Sequence, residues 1–228
     1  MKLKRKRILI VSPHPDDEVI GCGGLLAKAR AEGCEVFVVY VCVGKSRQLV
    51  TGSTNEEVRL KELGLVAKEG KFSYKILFIG EQFVRLDTVA QKDLIDPIED
   101  VIEDFKPDIV CIPSPESYDQ DHRETYTACI TAMRPTPREI RHFVPTVLIY
   151  EEPYTWTIGG QLLKPNYYLG TAEVENEKVA LMKLYKSQDR QPPFSRSGEN
   201  LVHHMRVRGS EVGLKSAEAY HLLRGILE

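Results

Sequence analysis

Short apolar segments flanked by polar turns are the feature that most restricts how this chain can fold. Residues 8–11, 36–43 and 109–112 are almost unbroken runs of valine, isoleucine and other apolar residues. Runs of this kind are typical of strands that are buried on both faces of a parallel sheet. Residues 75–79 and 147–150 have a related composition. They predict two further strands of the same sheet.

Helix-compatible stretches separate these strand-like segments. We expect helices at residues 20–32, 55–68, 94–105, 123–133 and 174–185, and one or two closing helices within residues 203–223. Because strand and helix alternate along most of the chain, the pattern predicts an α/β protein. The expected architecture is a three-layer Rossmann-like fold, with a mainly parallel sheet of about five or more strands and helices on both faces.

Length and composition indicate a single globular domain. The chain has 228 residues, of which 42% are hydrophobic and 28% are charged, as in ordinary globular proteins. Because no linker divides the chain, we expect one domain over residues 1–228, with residues 171–228 as a C-terminal helical segment that packs on it. The net charge of −2 gives no general attraction for nucleic acid. No window contains the ~20 apolar residues of a membrane span.

The cysteines indicate a reducing compartment. They are odd in number, lie mostly inside apolar runs and form no Cys-x-x-Cys pair. Small buried thiols are therefore a better interpretation than disulfides or a thiolate metal site. We expect a cytoplasmic protein in which all five remain reduced, namely Cys22, Cys34, Cys42, Cys111 and Cys129.

The first apolar segment ends in an acidic turn. His14 stands between two prolines, and Asp16, Asp17 and Glu18 follow directly. In open parallel sheets, ligands bind at the carboxyl ends of the strands, where this turn is expected. A helix N-cap explains one of the carboxylates. It does not explain the imidazole and the second acid. Adjacent carboxylates repel each other unless a cation lies between or beside them, and histidine with aspartate suits zinc.

A second polar turn, at residues 113–123, follows the strand predicted at residues 109–112 and contains Asp121 and His122. Because both turns leave the same edge of one sheet, His122 can meet His14 and Asp17 in space. The alternative is that His122 is only a capping or surface residue at a helix start. Two independent turns of the same composition favour a shared metal site.

Two other features have competing explanations. Arg59 and Glu62 lie three residues apart in a predicted helix, where an exposed ion pair of little energetic value is the simplest interpretation. Gly21, Gly23 and Gly24 resemble part of a dinucleotide-binding fingerprint, but their spacing differs from it. The preceding acids would also repel a pyrophosphate. Close packing of helix on strand explains these glycines better.

Four segments match the motifs of one known family. They are Pro13-His14-Pro15-Asp16-Asp17-Glu18, the Arg-x-x-Glu pair Arg59 and Glu62, the dipeptide Asp121-His122, and the tail from Arg208-Gly209 to Ala217-Glu218-Ala219-Tyr220. Over nearly its whole length the chain resembles the PIG-L/LmbE family of zinc-dependent N-deacetylases. It departs from the family at Asp119, where many members carry the first histidine of a His-x-Asp-His motif. His203 and His204 are candidates to supply a histidine instead.

The resemblance implies one zinc ion per chain, with His14, Asp17 and His122 as its ligands. It implies that Asp16 is the general base. The implied reaction removes the N-acetyl group from an N-acetylglucosamine-type amino sugar or its conjugate. Asp121 is a second catalytic candidate, as a carboxylate that orients a ligand imidazole, and a helix N-cap is its alternative role.

The expected partner is a small-molecule amino-sugar substrate. Arg59 is the candidate substrate-binding residue, and Trp156 or Tyr154 are candidates to stack on a sugar ring. The resemblance also implies a homo-oligomer. Two alternative functions remain open. One is another metal-dependent hydrolase such as a phosphoesterase, a class that often uses two metals. The other is a nucleotide-binding regulatory module on a Rossmann-like sheet.

Overall fold

The computed structural model describes residues 3–48, 52–152 and 163–226. The strands in these ranges are β1 (Arg7–Ser12), β2 (Glu35–Val43), β3 (Ser46–Gln48), β4 (Gly52–Thr54), β5 (Ser73–Ile79), β6 (Ile109–Ile112), β7 (Thr146–Tyr150), β8 (Tyr167–Gly170) and β9 (Ala217–Gly225). The predicted strands correspond to β1, β2, β5, β6 and β7.

The helices are α1 (Asp17–Ala31), α2 (Glu56–Gly70), α3 (Gln91–Phe105), α4 (Gln120–Ala132), α5 (Glu175–Leu184) and α6 (Gly198–Ser210). A single 3₁₀ turn at Leu86–Thr88 precedes α3. Among the described residues, no helix combines the length and the apolar character needed to cross a bilayer.

Seven of the described strands form one sheet in the order β5-β2-β1-β6-β7-β9-β8. The first five strands of this order are parallel to their neighbours. β9 runs antiparallel to β7 and β8, and β3 pairs with β4 in a separate hairpin. The sheet confirms the predicted, mainly parallel α/β architecture. Its parallel strands bring both polar turns to one edge.

Helices cover both faces of the sheet, as predicted. On one face, side chains of α1, α2 and α5 pack with Ile8 and Ile10 of β1. On the other face, side chains of α3 and α4 pack with Leu9 and Val11. Successive side chains of a strand point to opposite faces, and all four of these residues are fully buried. The unbroken apolar sequence of β1 therefore reflects its central position in a three-layer fold.

The helix prediction for residues 203–223 was wrong beyond α6. α6 ends at Ser210, and β9 inserts between β7 and β8. The segment 171–228 therefore combines two helices with a strand. Glu218 and Tyr220 of this strand are buried, so the segment lacks the alternation of apolar and polar residues by which a half-buried strand is detected. Backbone pairing on both sides determines its structure.

The glycines of α1 allow close packing. A Cβ atom on Gly21 would lie 2.4 Å from the ring of Tyr150, and one on Gly24 would lie 3.0 Å from the carboxyl carbon of Glu218. α1 is kinked at Cys22, where φ is −133° and ψ is 16°. Just beyond the kink, the carboxylate of Glu218 accepts the backbone N–H of Gly24 at 2.6 Å. These contacts support the packing interpretation over the dinucleotide-binding one.

Candidate metal centre and active site

The turn between β1 and α1 carries the first group of candidate site residues. β1 ends at Ser12 and α1 begins at Asp17, so the connection is only four residues long. The carboxylate of Asp17 accepts the backbone N–H of His14 at 2.9 Å. His14, Asp16 and Asp17 are all buried. The turn thus places an imidazole and two carboxylates in the protein interior at the carboxyl end of the central strand.

Asp16 occupies the N-cap position of α1, but its side chain makes no capping hydrogen bond. Its carboxylate instead accepts a hydrogen bond from Nη1 of Arg196 at 3.3 Å. The backbone of Asp16 has φ 108° and ψ −27°, a conformation that residues other than glycine rarely adopt. The helix-cap explanation of this carboxylate is therefore wrong. Strained backbone of this kind is concentrated at active sites.

His14, Asp17 and His122 come together from the two polar turns. One ligand atom of each residue lies within 4.8 Å of the other two. Oδ2 of Asp17 is 3.3 Å from Nε2 of His122 and 3.6 Å from Nδ1 of His14. Within the described ranges, this is the one cluster of His, Cys, Asp or Glu side chains with such spacing. The spacing is compatible with three ligands that converge on one cation.

A carboxylate contacts the outer nitrogen of each imidazole. Nε2 of His14 donates to Asp121 at 2.8 Å, and Asp121 also accepts two backbone N–H groups from residues 84–86. Nδ1 of His122 donates to Glu152 at 2.5 Å. Such carboxylates fix the tautomer and orientation of metal-binding imidazoles. They leave Nδ1 of His14 and Nε2 of His122 facing the cluster.

Glu152 is a candidate site residue that sequence reasoning missed. It follows the carboxyl end of β7, a parallel strand of the same sheet edge. Its side chain is almost fully buried and also accepts a hydrogen bond from the hydroxyl of Ser117. An acidic residue at a strand end on the ligand-binding edge was the available signal. No motif connects it to His122, 30 residues away.

The adjacent aspartates have opposite electrostatic environments. Burial raises the pKa of both carboxyls, but electrostatic attraction and hydrogen bonds from His122 and His14 outweigh burial at Asp17 and lower its pKa to about 2. At Asp16, burial outweighs the attraction of Arg196, so the pKa of Asp16 is raised. Neighbouring carboxyls whose pKa values are pushed apart are typical of a division between an anionic ligand and a proton-transfer group.

The two aspartates at the start of α4 have different roles. Asp119 is the N-cap, and its side chain accepts the backbone N–H of Asp121 at 2.9 Å. Asp121 is fully buried and faces His14. The N-cap alternative for Asp121 is therefore wrong. Asp119, which stands where the resemblance places a histidine in many family members, is held in a capping hydrogen bond.

Arg59 and Glu62 are not an exposed ion pair, because both are buried and each has another partner. Nη2 of Arg59 donates to the backbone oxygen of Pro15 at 2.8 Å, and its guanidinium lies over the ring of Phe83. Glu62 accepts hydrogen bonds from the backbone N–H and the hydroxyl of Ser187 at 2.7 and 2.6 Å. α2 thus contacts both the turn between β1 and α1 (residues 13–17, called the metal-site turn below) and the segment that precedes α6.

The remaining sequence candidates lie apart from the cluster or outside the described ranges. His203 is exposed. Nε2 of His204 is 3.3 Å from the carboxylate of Glu151. Trp156 and Tyr154, the candidates for sugar stacking, lie outside the described residues. All five cysteines are free thiols, and four of them are buried.

Comparison with known proteins identifies the family. The family model described as GlcNAc-PI de-N-acetylase, PIG-L, matches residues 9–133, more than half of the chain. The chain belongs to the PIG-L family. The uncharacterized deacetylase YaiS of Escherichia coli K12 is 31% identical over 197 residues, which cover 81% of this chain and 92% of that protein. A diacetylchitobiose deacetylase of Thermococcus kodakarensis is 28% identical over 195 residues, covering 80% and 70%.

Two solved structures share the fold. N,N'-diacetylchitobiose deacetylase of Pyrococcus horikoshii has a TM-score of 0.74 at 21% identity and covers 96% of this chain and 84% of its own. GalB, the 4-carboxy-2-hydroxymuconate hydratase of Pseudomonas putida KT2440, has a TM-score of 0.77 at 20% identity and covers 98% of both chains. These likenesses show the fold alone, and one fold can serve different reactions. Membership of the PIG-L family makes this chain an enzyme that acts on N-acetyl amides.

Proposed function

We propose that this PIG-L enzyme is a zinc-dependent hydrolase that removes the N-acetyl group from an N-acetylglucosamine-type amino sugar or its conjugate. One observation carries the proposal: the ligand atoms of His14, Asp17 and His122 lie within 4.8 Å of one another. The deacetylase of Thermococcus kodakarensis, named for diacetylchitobiose, supports a small-molecule amino-sugar substrate. The five free thiols support a cytoplasmic location.

Zinc fits this donor set. Two imidazole nitrogens and one carboxylate oxygen form a ligand set that catalytic zinc sites use, with a further position left for water or substrate. Calcium and magnesium instead prefer ligand sets made of oxygen. The carboxylate of Asp17 is anionic at neutral pH and so supplies the charged oxygen of this set. The carboxylates of Asp121 and Glu152 hold the outer nitrogens of the two imidazoles, so each ring presents its other nitrogen.

When bound, zinc supplies the Lewis acidity that activates water and polarises an amide carbonyl at neutral pH. Asp16 is the proposed general base, because it adjoins the ligand Asp17 without belonging to the ligand set. It accepts a proton from the attacking water and returns it to the departing nitrogen, so that amide and water give acetate and a free amine. Arg196 binds one oxygen of Asp16 and orients the carboxylate for this exchange.

Other sequence-based assignments stay predictions. Asp121 is predicted to act on catalysis by orienting His14, and Arg59 is predicted to bind the substrate. Homo-oligomerisation is a further prediction that follows only from the family.

Acetate release by the zinc-loaded protein tests the proposed function. The substrate panel contains N-acetylglucosamine, diacetylchitobiose, and N-acetylglucosamine conjugates with acidic and polyol groups. We expect acetate and a free amine in equal amounts from at least one substrate.

Three parallel assays distinguish the alternatives. Hydrolysis of p-nitrophenyl phosphate without acetate release would indicate a metal-dependent phosphoesterase. Binding of NAD or ATP by the metal-free protein would indicate a nucleotide-binding module. Hydration of 4-carboxy-2-hydroxymuconate would indicate the activity of the hydratase that shares this fold. Any of these results without acetate release would overturn the proposal.

A further inference from the structure

Glu18 is fully buried at the base of the metal-site turn and belongs neither to the proposed ligand set nor to the proton transfer. Its Oε2 accepts the backbone N–H of Asp16 at 3.0 Å and lies 3.4 Å from the hydroxyl oxygen of Ser12, which donates to the backbone oxygen of His14. Its Oε1 accepts the phenolic O–H of Tyr185 at 2.6 Å. One carboxylate therefore joins the backbone of the proposed base to the end of β1 and to the residue after α5.

The backbone conformation of Asp16 requires such support. Its φ of 108° is rare for a residue with a Cβ atom. Residues held in rare conformations persist only where surrounding contacts fix them. The hydrogen bond to Glu18 spans two residues, but Glu18 is itself bound by Tyr185, 167 residues further along the chain. The conformation of Asp16 thus depends on a group that is anchored outside the turn.

We propose that Glu18 is a positioning residue for Asp16. It holds the turn in the conformation that directs the Asp16 carboxylate to Arg196 while the adjacent Asp17 carboxylate meets His122. This role rests on the proposed function, because it acts on turnover through the general base. A buried carboxylate with only a structural role would affect stability and would leave the rate of the folded enzyme unchanged.

Substitution at Glu18 tests the role. Glu18→Met removes both acceptors and keeps the side-chain length, so we expect kcat to fall by about 10²-fold, the effect of a small misplacement of a catalytic group. KM and the zinc dissociation constant should change less than about 3-fold, because the ligands are retained. Glu18→Gln keeps one acceptor oxygen for the N–H of Asp16 and should recover most of kcat.

Variants outside the turn keep the test valid if Glu18→Met does not fold. Tyr185→Phe removes the hydrogen bond that anchors Glu18 and should lower kcat by about 10-fold, since Asp16 loses part of its orientation. Tyr220→Phe is the matched control. It removes another buried phenol-to-glutamate hydrogen bond, that of Tyr220 with Glu218 at 2.8 Å, and should lower the melting temperature with kcat unchanged.

A double variant tests whether Glu18 affects kcat through Asp16. If Glu18 acts through Asp16, Glu18→Met should lower kcat no further in an Asp16→Asn background, as expected for residues that act as a unit. If the fall in kcat of the double variant equals the product of the two single falls, the positioning role is wrong. Wild-type kcat in both Glu18→Met and Tyr185→Phe would also overturn it. Neither result would affect the proposed function. A wild-type enzyme that releases no acetate, or an Asp16→Asn enzyme at full activity, would overturn the proposed function and the positioning role together.

Discussion

Asp16 and Asp17 are neighbours in sequence with different surroundings. Asp17 faces two imidazoles, which hold its pKa at about 2, whereas burial raises the pKa of Asp16. Asp17 is therefore suited to permanent metal ligation, and Asp16 is suited to accept and release a proton. This difference arises from the turn. Asp16 has a strained backbone and its side chain contacts Arg196, whereas the next side chain, that of Asp17, contacts His122.

Neutralising each aspartate should give a distinct result. Asp16→Asn should retain zinc and lower kcat by about 10²–10⁴-fold, the range that a general base contributes. Asp17→Asn should lose zinc affinity and activity together, because a neutral amide is a poor zinc ligand. Zinc content by atomic absorption and acetate release on both variants make the comparison. An Asp16→Asn enzyme that binds zinc and deacetylates at the wild-type rate would contradict the assignment.

Glu152 should tune the affinity of the site for zinc. Its carboxylate accepts the Nδ1 proton of His122, and loss of such a partner typically weakens metal affinity by about 10–100-fold. We expect an effect of this size for Glu152→Gln in competition with a fluorescent chelator. Glu151→Gln is the matched control, because Glu151 contacts Arg208 and His204, neither of which belongs to the proposed ligand set. Equal zinc affinities of the two variants would exclude the orienting role.

At the scale of secondary-structure elements, α2 connects two parts of the site. Arg59 holds the backbone of the metal-site turn, and Glu62 holds Ser187. Ser187 begins the segment that ends at the N-cap of α6, Ser197, and this segment contains Arg196. α2 is therefore expected to control how closely Arg196 approaches Asp16.

Removal of the Glu62 contact should loosen this segment. Glu62→Ala should speed hydrogen exchange of the amides at residues 187–197, because they lose an anchor with two hydrogen bonds. Turnover should fall with the zinc affinity unchanged. Glu57→Ala on the exposed side of α2, where Glu57 pairs with Lys61, provides the comparison. Unchanged exchange in the Glu62 variant would mean that α2 does not order the segment.

The elements also show what the sequence could predict. Burial on both faces requires unbroken apolar runs, so the central strands β1 and β6 were predictable. β9 was not, because buried Glu218 conceals its strand character and its pairing partners are distant in sequence. The cluster of His14 with His122 followed from two turns at one sheet edge. The contacts of Glu152 and Arg196 depend on tertiary packing, which no local pattern encodes.

At the scale of the whole molecule, a buried network around Lys178 connects elements that are distant in sequence. Nζ of Lys178 on α5 donates to Glu218 on β9 and to the backbone oxygen of Ile20 on α1, each at 2.7 Å. Both side chains are almost fully buried. This network joins α1, the helix that follows the metal-site turn, to the C-terminal strand β9.

Breaking this ion pair should destabilise the fold globally. Lys178→Met leaves the carboxylate of Glu218 buried without its cation, and removing one partner of a buried pair costs about 3–5 kcal/mol. Urea unfolding should therefore show a lower midpoint with an unchanged slope. Arg206→Met, at an exposed pair with Glu175, should leave the midpoint near that of the wild type. A midpoint unchanged in Lys178→Met would show that the pair does not stabilise the fold.

One zinc ion held by His14, Asp17 and His122 is required for deacetylation if the proposed site is correct. The most direct test is to strip the protein with a chelator, return zinc in substoichiometric steps, and measure acetate release at each step. We expect no activity in the stripped protein and a linear rise that stops at one equivalent of zinc per chain, because the described residues contain one such set of three ligands. Full activity without metal, or a rise that continues to two equivalents, would contradict a mononuclear zinc site.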